Sequence, residues 1–396
     1  MQLTNQQMKG LKIAVDRYHA GEKYTVISGY AGSGKSTLVR FIIDALDVSE
    51  DDVCYCAFTG KATEVLRKKG NKNSSTLHKL LYDHIPKRNG GFIRKPKLVI
   101  NYKIVVVDEV SMAPKEMMKL LFSHRVYVIC LGDPFQLPPI DKDADNHLLD
   151  KPHIFLDEIM RQAQESEIIR LTMKIRNGET IPYFDGNEIK VIPHASLNTG
   201  ILQWSDQVLT ATNAKRQAIN KLMKSLVNDN EEPVDGDKII CLRNYWEYFS
   251  EDVNPLINGT IGYLKNSFQT WQQVPYYLYS SISKFNVLVG DIEIIENNSI
   301  IDTYHQVNMD EQMISSGQKC LDWKTSYALS KMTYKIGDIV PKEFAYAYAI
   351  TVHKAQGSEW DKVTVLEESF PFDKEEHARW LYTACTRASE KLVLVR

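Results

Sequence analysis

The chain opens on an alternation of two hydrophobic rhythms. Tyr24–Ser28 is a short apolar run that reads as a strand, and Ser36–Leu46 places apolar residues at helical spacing. Val53–Phe58 reads as a second strand and Lys61–Lys68 as a helix. Ile104–Val107 and Val126–Leu131 are continuous apolar runs, the pattern of strands covered on both faces. Such alternation predicts a parallel sheet with helical crossovers. Between about 263 and 307 the rhythm changes. Tyr, Ile and Val are dense, Gly290-Asp291 and Asn297-Asn298 supply turn residues, and Glu293–Glu296 and Ile300–His305 read as paired strands. This segment predicts a small β-rich insertion. From Pro341 the alternation resumes, with strands at Val363–Leu366 and Leu392–Val395 and a helix at His377–Arg387. No internal repeat or low-complexity tract interrupts the chain.

A length of 396 residues exceeds one ordinary core and favours two or three domains. Hydrophobic residues at 43% and charged residues at 25% give the composition of a soluble globular protein. No apolar run approaches the length of a bilayer span, and Met1–Gln7 lacks the basic start and apolar segment of a secretory leader. The six cysteines are scattered without zinc-like spacing, and Cys54 and Cys56 share a strand that reads as buried, which predicts a reduced, cytoplasmic setting. A net charge of -2 and a pI near 6.6 exclude a protein coated in positive charge. Any nucleic-acid site must therefore be a local groove.

Gly29 to Ser36 reads Gly-Tyr-Ala-Gly-Ser-Gly-Lys-Ser, a phosphate-binding loop set between a strand and a helix as that motif requires. Glycines let backbone N–H groups approach phosphates, and the helix adds its positive N-terminal end. Gly29, Gly32, Ser33, Gly34, Lys35, Ser36 and Thr37 are the candidate ATP-binding residues. Lys35 would reach the β and γ phosphates, and Ser36 would hold Mg2+. By chance such a match arises only on the order of once in a hundred chains of this length and glycine content. The run Ile104–Val107 then ends in Asp108-Glu109, two carboxylates at the C-terminal edge of the sheet, where ligands bind. Asp108 would hold Mg2+, partly through water, and Glu109 would polarise the attacking water as general base. Adjacent Asp and Glu point away from GTPases and small-molecule kinases.

Asp108-Glu109-Val110-Ser111-Met112 and Gly132-Asp133-Pro134-Phe135-Gln136-Leu137-Pro138-Pro139 resemble motifs II and III of superfamily 1 DNA helicases. Thr351-Val352-His353-Lys354-Ala355-Gln356-Gly357-Ser358-Glu359 is similar to motif V, and Leu381-Tyr382-Thr383-Ala384-Cys385-Thr386-Arg387-Ala388 to motif VI. The matches follow family order from Gln7 to Arg387 and resemble most the RecD- and Dda-like 5′-to-3′ branch, superfamily 1B. This resemblance implies an α/β fold: two RecA-like P-loop lobes with parallel sheets, a short β-hairpin insertion in the first and a small SH3-like β-barrel insertion in the second. The implied divisions are 1–152 for the first lobe, with the hairpin at about 80–98, then 153–242 and 336–396 for the second, and 243–335 for the insertion. Trp271, Tyr276, Tyr277 and Tyr279 are expected in the barrel core.

Individual positions follow from the same resemblance. Leu3-Thr4-x-x-Gln7 resembles the adenine-reading Q motif, with the Gln7 amide facing an adenine edge. Gln136 resembles the γ-phosphate sensor. Arg387, and Arg161 within Leu156–Gln162, resemble arginine fingers from the second lobe, a device that contributes about 10³–10⁵ in rate. Glu359 is a candidate ribose contact. Ala57-Phe58-Thr59-Gly60-Lys61-Ala62 resembles motif Ia, which puts Phe58, Thr59 and Lys61 on the DNA strand, although the family usually has Pro where Phe58 stands. Ser75-Thr76-Leu77-His78 resembles motif Ib, with His78 in the backbone contact. Thr212-Asn213-x-x-Arg216-x-x-x-Asn220 and Asn258–Gly262 match second-lobe signatures, and Thr351 and His353 would touch the same strand. Lys87–Lys97 carries five basic residues in eleven around an Asn-Gly hairpin turn, where the family has a strand-separating pin. Phe92 or a neighbour would prop the duplex open; a solvated basic loop is the other reading.

Together these imply an ATP-dependent DNA helicase that uses ATP and Mg2+, moves 5′ to 3′ on single-stranded DNA and unwinds forked duplex. They also imply a monomer in a bacterial or phage-infected cytoplasm, acting in replication, recombination or repair, with a single-strand-binding protein or replisome component as further partner. Two other readings stay open on the residues. One is a translocase or RNA-directed motor that does not unwind DNA. The other is a P-loop phosphotransferase or nucleotide switch, which leaves Arg387 and the motif V match without a role.

Overall fold

The computed structural model describes residues 3–86, 92–138, 145–160, 164–228, 230, 232–245, 256–276, 283–296, 299–331, 339–368 and 373–396. In chain order the first strands are β1 (Tyr24–Gly29), β2 (Val53–Ala57) and β3 (Ser74–Thr76), then a two-stranded hairpin of β4 (Tyr82–Pro86) and β5 (Phe92–Pro96). β6 (Ile104–Val107), β7 (Tyr127–Gly132) and β8 (Ile154–Leu156) follow. The six other than the hairpin form one sheet of order β3-β2-β6-β7-β1-β8, parallel throughout. Period-2 geometry sends alternate side chains of its buried strands into two different cores. Ile104 and Val106 join the cluster under the helix Lys35–Ala45, while Val105 and Val107 join the one under Lys115–Ser123. Both faces are covered, which is why these strands read as unbroken apolar runs.

A second sheet takes β9 (Phe184–Asp185), β10 (Ile189–Ile192) and β11 (Gln207–Thr210), and a third takes β12 (Lys238–Cys241), β13 (Ile261–Gln273), β14 (Lys284–Glu296), β15 (Ser299–Met309) and β16 (Phe344–Tyr346). β17 (Ala349–Thr351), β18 (Trp360–Leu366) and β19 (Ala388–Val395) return to the second, whose order is β17-β11-β18-β19-β10-β9. Its β11, β18, β19 and β10 are parallel, and β9 adds antiparallel at the edge. The third sheet, β15-β14-β13-β12-β16, is antiparallel. The chain folds into two compact units. One holds both parallel sheets, in residues 1–82, 96–213 and 350–396; the other holds the hairpin at 83–95 and residues 214–349. Among the described residues no helix is long and apolar enough to cross a membrane.

The two parallel P-loop-type sheets and the hairpin agree with the sequence reading, but several placements differ. β8 pairs with β1, so the first sheet runs past the expected division at 152. β12 and β16, expected in the second lobe, pair with each other and with β13, so the antiparallel sheet begins before 243 and resumes after 335. Gly290-Asp291 is not a turn. It sits inside β14 where the register with β13 and β15 shifts, and a Cβ on Gly290 would press on the Lys265 carbonyl. Trp271 and Tyr276 are not core residues; they stand 62% and 79% exposed, because Trp271 points away from the face on which Val274 meets Phe285 and Leu329. Tyr277, Tyr279, Asn297 and Asn298 lie outside the described residues. Ile129→Ala, in the middle of the first sheet, should cost roughly 2–5 kcal/mol of stability. Trp271→Ser should stay within about 0.5 kcal/mol of the parent in the same denaturant titration, and a large loss there would put that ring back in a core.

Candidate nucleotide site and strand contacts

The order β6-β7-β1 in a parallel sheet lays three strand ends side by side, and each end carries one motif. β1 leads into the loop at Gly29. There Gly34 caps the helix Lys35–Ala45 in the left-handed region (φ +79°), and a Cβ on it would collide with the Gln7 side-chain amide. Gln7 is 1% exposed and closes a capping box: Thr4 Oγ1 accepts from the Gln7 N–H (3.2 Å), and Gln7 Oε1 accepts from the Thr4 N–H (3.1 Å). Its Nε2 donates to the Ser33 carbonyl (3.3 Å), so helix capping and the loop together hold this amide. Lys35 Nζ donates to the carbonyls of Gly29 (2.7 Å) and Tyr30 (3.0 Å). Ser33 Oγ is buried with no hydrogen-bond partner among the described residues. Ser36, Thr37 and Asp108 line a cavity of about 160 Å³.

β6 leads into Asp108 and Glu109. Burial, and then the charge of Glu109, push the Asp108 carboxyl above its ordinary value, while Lys69 and Lys35 draw it back. Glu109 sits in the left-handed region at φ +49°, ψ +48°, a conformation that side-chain-bearing residues rarely keep without a reason. β7 leads into Asp133 and Gln136. With its amide oriented by the hydrogen-bond network, Gln136 donates to Glu109 Oε2 (3.0 Å) and accepts from Arg387 Nη2 (3.3 Å). Arg387 Nη1 stands 3.8 Å from Glu109 Oε1. Arg387 is 5% exposed and comes from the second sheet, at the end of the helix Lys374–Cys385. The carbonyls of Thr383 (3.1 Å) and Ser358 (3.1 Å) aim it.

Of the five expected catalytic residues, Glu109, Gln136 and Arg387 meet directly, and Lys35 is near enough for its charge to act on Asp108 and Asp133. Arg161 lies outside the described residues. The segment leading to it is tied to the loop, since the Met160 N–H donates to the Gly32 carbonyl (3.0 Å) and Gln6 Oε1 accepts from the Asp157 and Glu158 N–H groups (3.2 Å each). Glu359, expected at the ribose, has Lys69 Nζ as its neighbour at 3.7 Å.

The sequence reading missed a second set of residues that join the two parallel sheets. The Tyr382 hydroxyl accepts from the Ala31 N–H of the loop (2.9 Å) and donates to Asp133 Oδ2 (2.6 Å). Leu137 is held at both ends of its peptide: its N–H donates to Thr383 Oγ1 (2.9 Å), and its carbonyl accepts from Gln356 Nε2 (2.7 Å). Arg379 donates to the Pro134 carbonyl (3.2 Å). All of these residues but Arg379 lie within the motif stretches quoted above, but side-chain polarity alone does not tell which of them cross between sheets.

On the strand side, Thr59 caps the helix Gly60–Lys68, its Oγ1 accepting from the Ala62 N–H (3.2 Å), and Lys61 stands in that first turn. Phe58 is half-buried against the core, and its ring meets His78 at 5.4 Å. Thr351 caps the short helix Val352–Ala355, which carries His353. Burial holds His353 below its ordinary value, which keeps the ring neutral near pH 7. Gly357, at φ +73°, brings this segment so close that a Cβ would meet Ala62 at 3.0 Å and Thr59 Oγ1 at 3.3 Å. Motifs Ia and V therefore share one surface. Phe92 opens β5, and the turn at 87–91 lies outside the described residues.

Comparison with known proteins matches an AAA domain to residues 2–191 and a UvrD-like helicase C-terminal domain to residues 346–395. The chain is 26% identical over 390 residues to the ATP-dependent RecD2 DNA helicase of Deinococcus radiodurans, covering 94% of this chain but only 47% of that one, about half its length. It is 22% identical over 432 residues to the ATP-dependent DNA helicase dda of Enterobacteria phage T4, covering 97% of each. The structure of Pif1 helicase from Bacteroides in complex with ADP-AlF3 and ssDNA is similar at a TM-score of 0.49 and 17% identity, over all of this chain and 92% of that one.

Tyr382→Phe strips a hydroxyl from two buried partners at once and should cost roughly 1–3 kcal/mol of stability near neutral pH. Burial pushes Asp133 above its ordinary value, and the Tyr382 hydrogen bond works against that. Without the bond the folded value rises further. A group raised on folding penalises the native state as pH climbs through its unfolded value and the group must charge. The deficit of the variant should therefore shrink between about pH 8 and pH 4. Denaturation midpoints across that range measure it, and a deficit that does not change with pH would remove Asp133 from the account.

Proposed function

We propose that this chain, a member of the RecD- and Dda-like superfamily 1B helicases, is an ATP-driven DNA helicase whose ATP site is split between its two parallel sheets. One observation carries the reading: Arg387, from the second sheet, reaches the Glu109–Gln136 pair of the first. The phosphotransferase or nucleotide-switch reading leaves the motif V match, which shares the Leu137 contact with motif VI, without a role.

In this reading the loop amides and Lys35 hold the β and γ phosphates, and Gln7 reads the adenine. A hydroxyl and a carboxylate are hard oxygen donors, and Ser36 and Asp108 face one cavity, a set that suits Mg2+. Bound there, the ion would supply charge neutralisation for the phosphates. Glu109 orients and deprotonates the attacking water. Gln136 senses the terminal phosphate, because its amide already faces both Glu109 and the cation that phosphate would attract. Arg387, with Arg161 as a second finger, stabilises the charge that develops on the transferred group.

Strand contact is assigned to the surface shared by Thr59, Lys61, His78, Thr351 and His353, with Phe58 at its edge, holding single-stranded DNA mainly by its phosphates. The hairpin with Phe92 separates forked duplex. The Leu137 clamp gives the nucleotide site a mechanical link to this surface, since motif III, motif V and motif VI meet on that one peptide. The similarity to RecD2 and dda, both named DNA helicases, supports DNA as the track, and 5′ to 3′ is the direction that the motif resemblance implies.

Glu109→Gln should keep affinity for a fluorescent ATP analogue and lower DNA-stimulated turnover by roughly 10²–10⁴-fold. Substantial residual hydrolysis would contradict its role as base. Duplexes bearing a single-stranded tail at either the 5′ or the 3′ end test motor and direction together. Unwinding is expected from the 5′ tail only, and strand movement without unwinding of either would favour the translocase reading.

A further inference from the structure

The unit containing residues 214–349 has a cavity of its own, about 510 Å³, walled by the helix Asn213–Val227, the helix Glu311–Ser316 with Gly317, and β16. Its lining is unusual for a chain with 50 acidic residues. It presents Arg216, Lys221, amides such as Gln217 and Asn228, and the hydroxyls of Ser315 and Ser316; among the described residues lining it there is no carboxylate. Lys224 also borders it, but that charge is spent on a buried pair with Asp237 (2.6 Å). Asn220 is likewise occupied, holding the Tyr346 and Ala349 carbonyls and the Ala349 N–H.

Arg216 has no such partner. Its Nε is buried and meets no acceptor among the described residues. Burial holds the guanidinium below its ordinary value, and among the described residues no anion acts the other way. A guanidinium stays protonated under these conditions, so its charge is partly desolvated with no compensating acceptor among the described residues. An arrangement of this kind is costly unless an anion completes it. Most of the residues around Arg216 are exposed at the rim on both walls, and the one aromatic ring among the described lining residues, Tyr346, is 7% exposed. The described lining therefore offers cations, amides and hydroxyls, but no open ring on which a base could stack. That is the donor set of sugar–phosphate contacts rather than of base recognition.

We propose that the cavity under Arg216 and Lys221 is an anion site that holds a backbone phosphate of a nucleic-acid strand, independently of base sequence. The proposal rests on the reading of the chain as a DNA motor and adds a grip that lies outside the strand surface of the parallel sheets.

The test uses the full chain, labelled dT and dA oligomers and fluorescence anisotropy across a salt series. Arg216→Gln and Lys221→Gln should each weaken binding about 10-fold, equally for both sequences, and each should reduce the slope of log affinity against log salt by about 1. Arg216→Lys, which keeps the charge, should recover most of the loss. If Arg216→Gln fails to fold, as its melting curve will tell, the rim variant Lys221→Gln carries the test. A second arm follows melting with inorganic pyrophosphate in a Lys35→Ala background, so that the nucleotide loop does not report. Stabilisation by pyrophosphate that depends on Arg216, with oligomer affinity unchanged, overturns the strand in favour of a small free anion. Variants that bind oligomers like the parent and show no pyrophosphate effect overturn the site altogether. A parent protein that binds neither oligomer overturns the motor reading itself, a different failure from the other two.

Discussion

One amide holds the nucleotide site together. Gln136 can donate and accept at once, and the fold sets it between a carboxylate and a guanidinium that belong to different sheets. Neither charge is close enough to the other for a strong direct pair: Arg387 and Glu109 stand 3.8 Å apart. The amide makes that separation tolerable, because it satisfies one side of each group and keeps the gap between them open. A tight Arg–Glu pair at this position would be a finished structural bridge. A bridged, open pair leaves room for a third charged group, and the cation is already aimed.

The geometry depends in turn on strand order. Only because β6, β7 and β1 are neighbours, and parallel, do Asp108, Gln136 and Lys35 emerge at one edge. The helix Lys374–Cys385 then approaches that edge with three side chains in successive roles. Tyr382 meets the loop and Asp133, Thr383 meets Leu137, and Arg387, just past the helix end, meets Gln136. Because one rigid element carries all three contacts, the three motif ends cannot respond to it independently. A shift of that helix against the first sheet changes the loop amide, the Leu137 peptide and the catalytic pair together. A packed element of this kind is one through which coupling between sites can physically be carried.

Much of this was legible in the chain. The loop at Gly29–Ser36, the carboxylates after Ile104–Val107 and the Arg387 segment are local signals, because each is a strand, a turn and a few special residues in succession. What escaped was non-local. A three-residue apolar run such as Ile154–Leu156 does not tell which of two parallel sheets it will join; β1, more than a hundred positions earlier, decides that. Gly290-Asp291 has turn composition, yet it runs on inside a long strand, and the extra residues lie opposite it, at Asn266-Ser267 of β13 and His305-Gln306 of β15. Trp271 and Tyr276 are expected in a core by resemblance to a small barrel, but period 2 leaves the choice of face to the partner elements: the helix bearing Leu329 covers the face opposite Trp271, and Tyr276 falls past the end of β13. Tyr382 reads as one more apolar position of a helix; its value lies in a hydroxyl whose two partners are some 250 and 350 residues away in sequence.

The cations of this chain divide by what they rest on. Lys224 is buried against Asp237 and Lys103 is paired with Asp52, both on carboxylates at 2.6–2.7 Å. Lys35 rests instead on the backbone carbonyls of Gly29 and Tyr30, and Arg387 is aimed by those of Thr383 and Ser358, with the Glu109 carboxylate no closer than 3.8 Å. A carbonyl is a neutral acceptor. It orients a cation without cancelling its charge, so an arriving phosphate competes against a dipole rather than against a full negative charge, and charge-assisted bonds are roughly twice as strong as neutral ones. A carboxylate-bound lysine would have to surrender an ion pair before it could bind phosphate. The same distinction bears on how a chain of net charge -2 could hold a polyanion in the proposed reading. What matters there is not the total of positive charge but where a cation sits on neutral acceptors, as Lys35 does, or meets no acceptor among the described residues, as Arg216 Nε does.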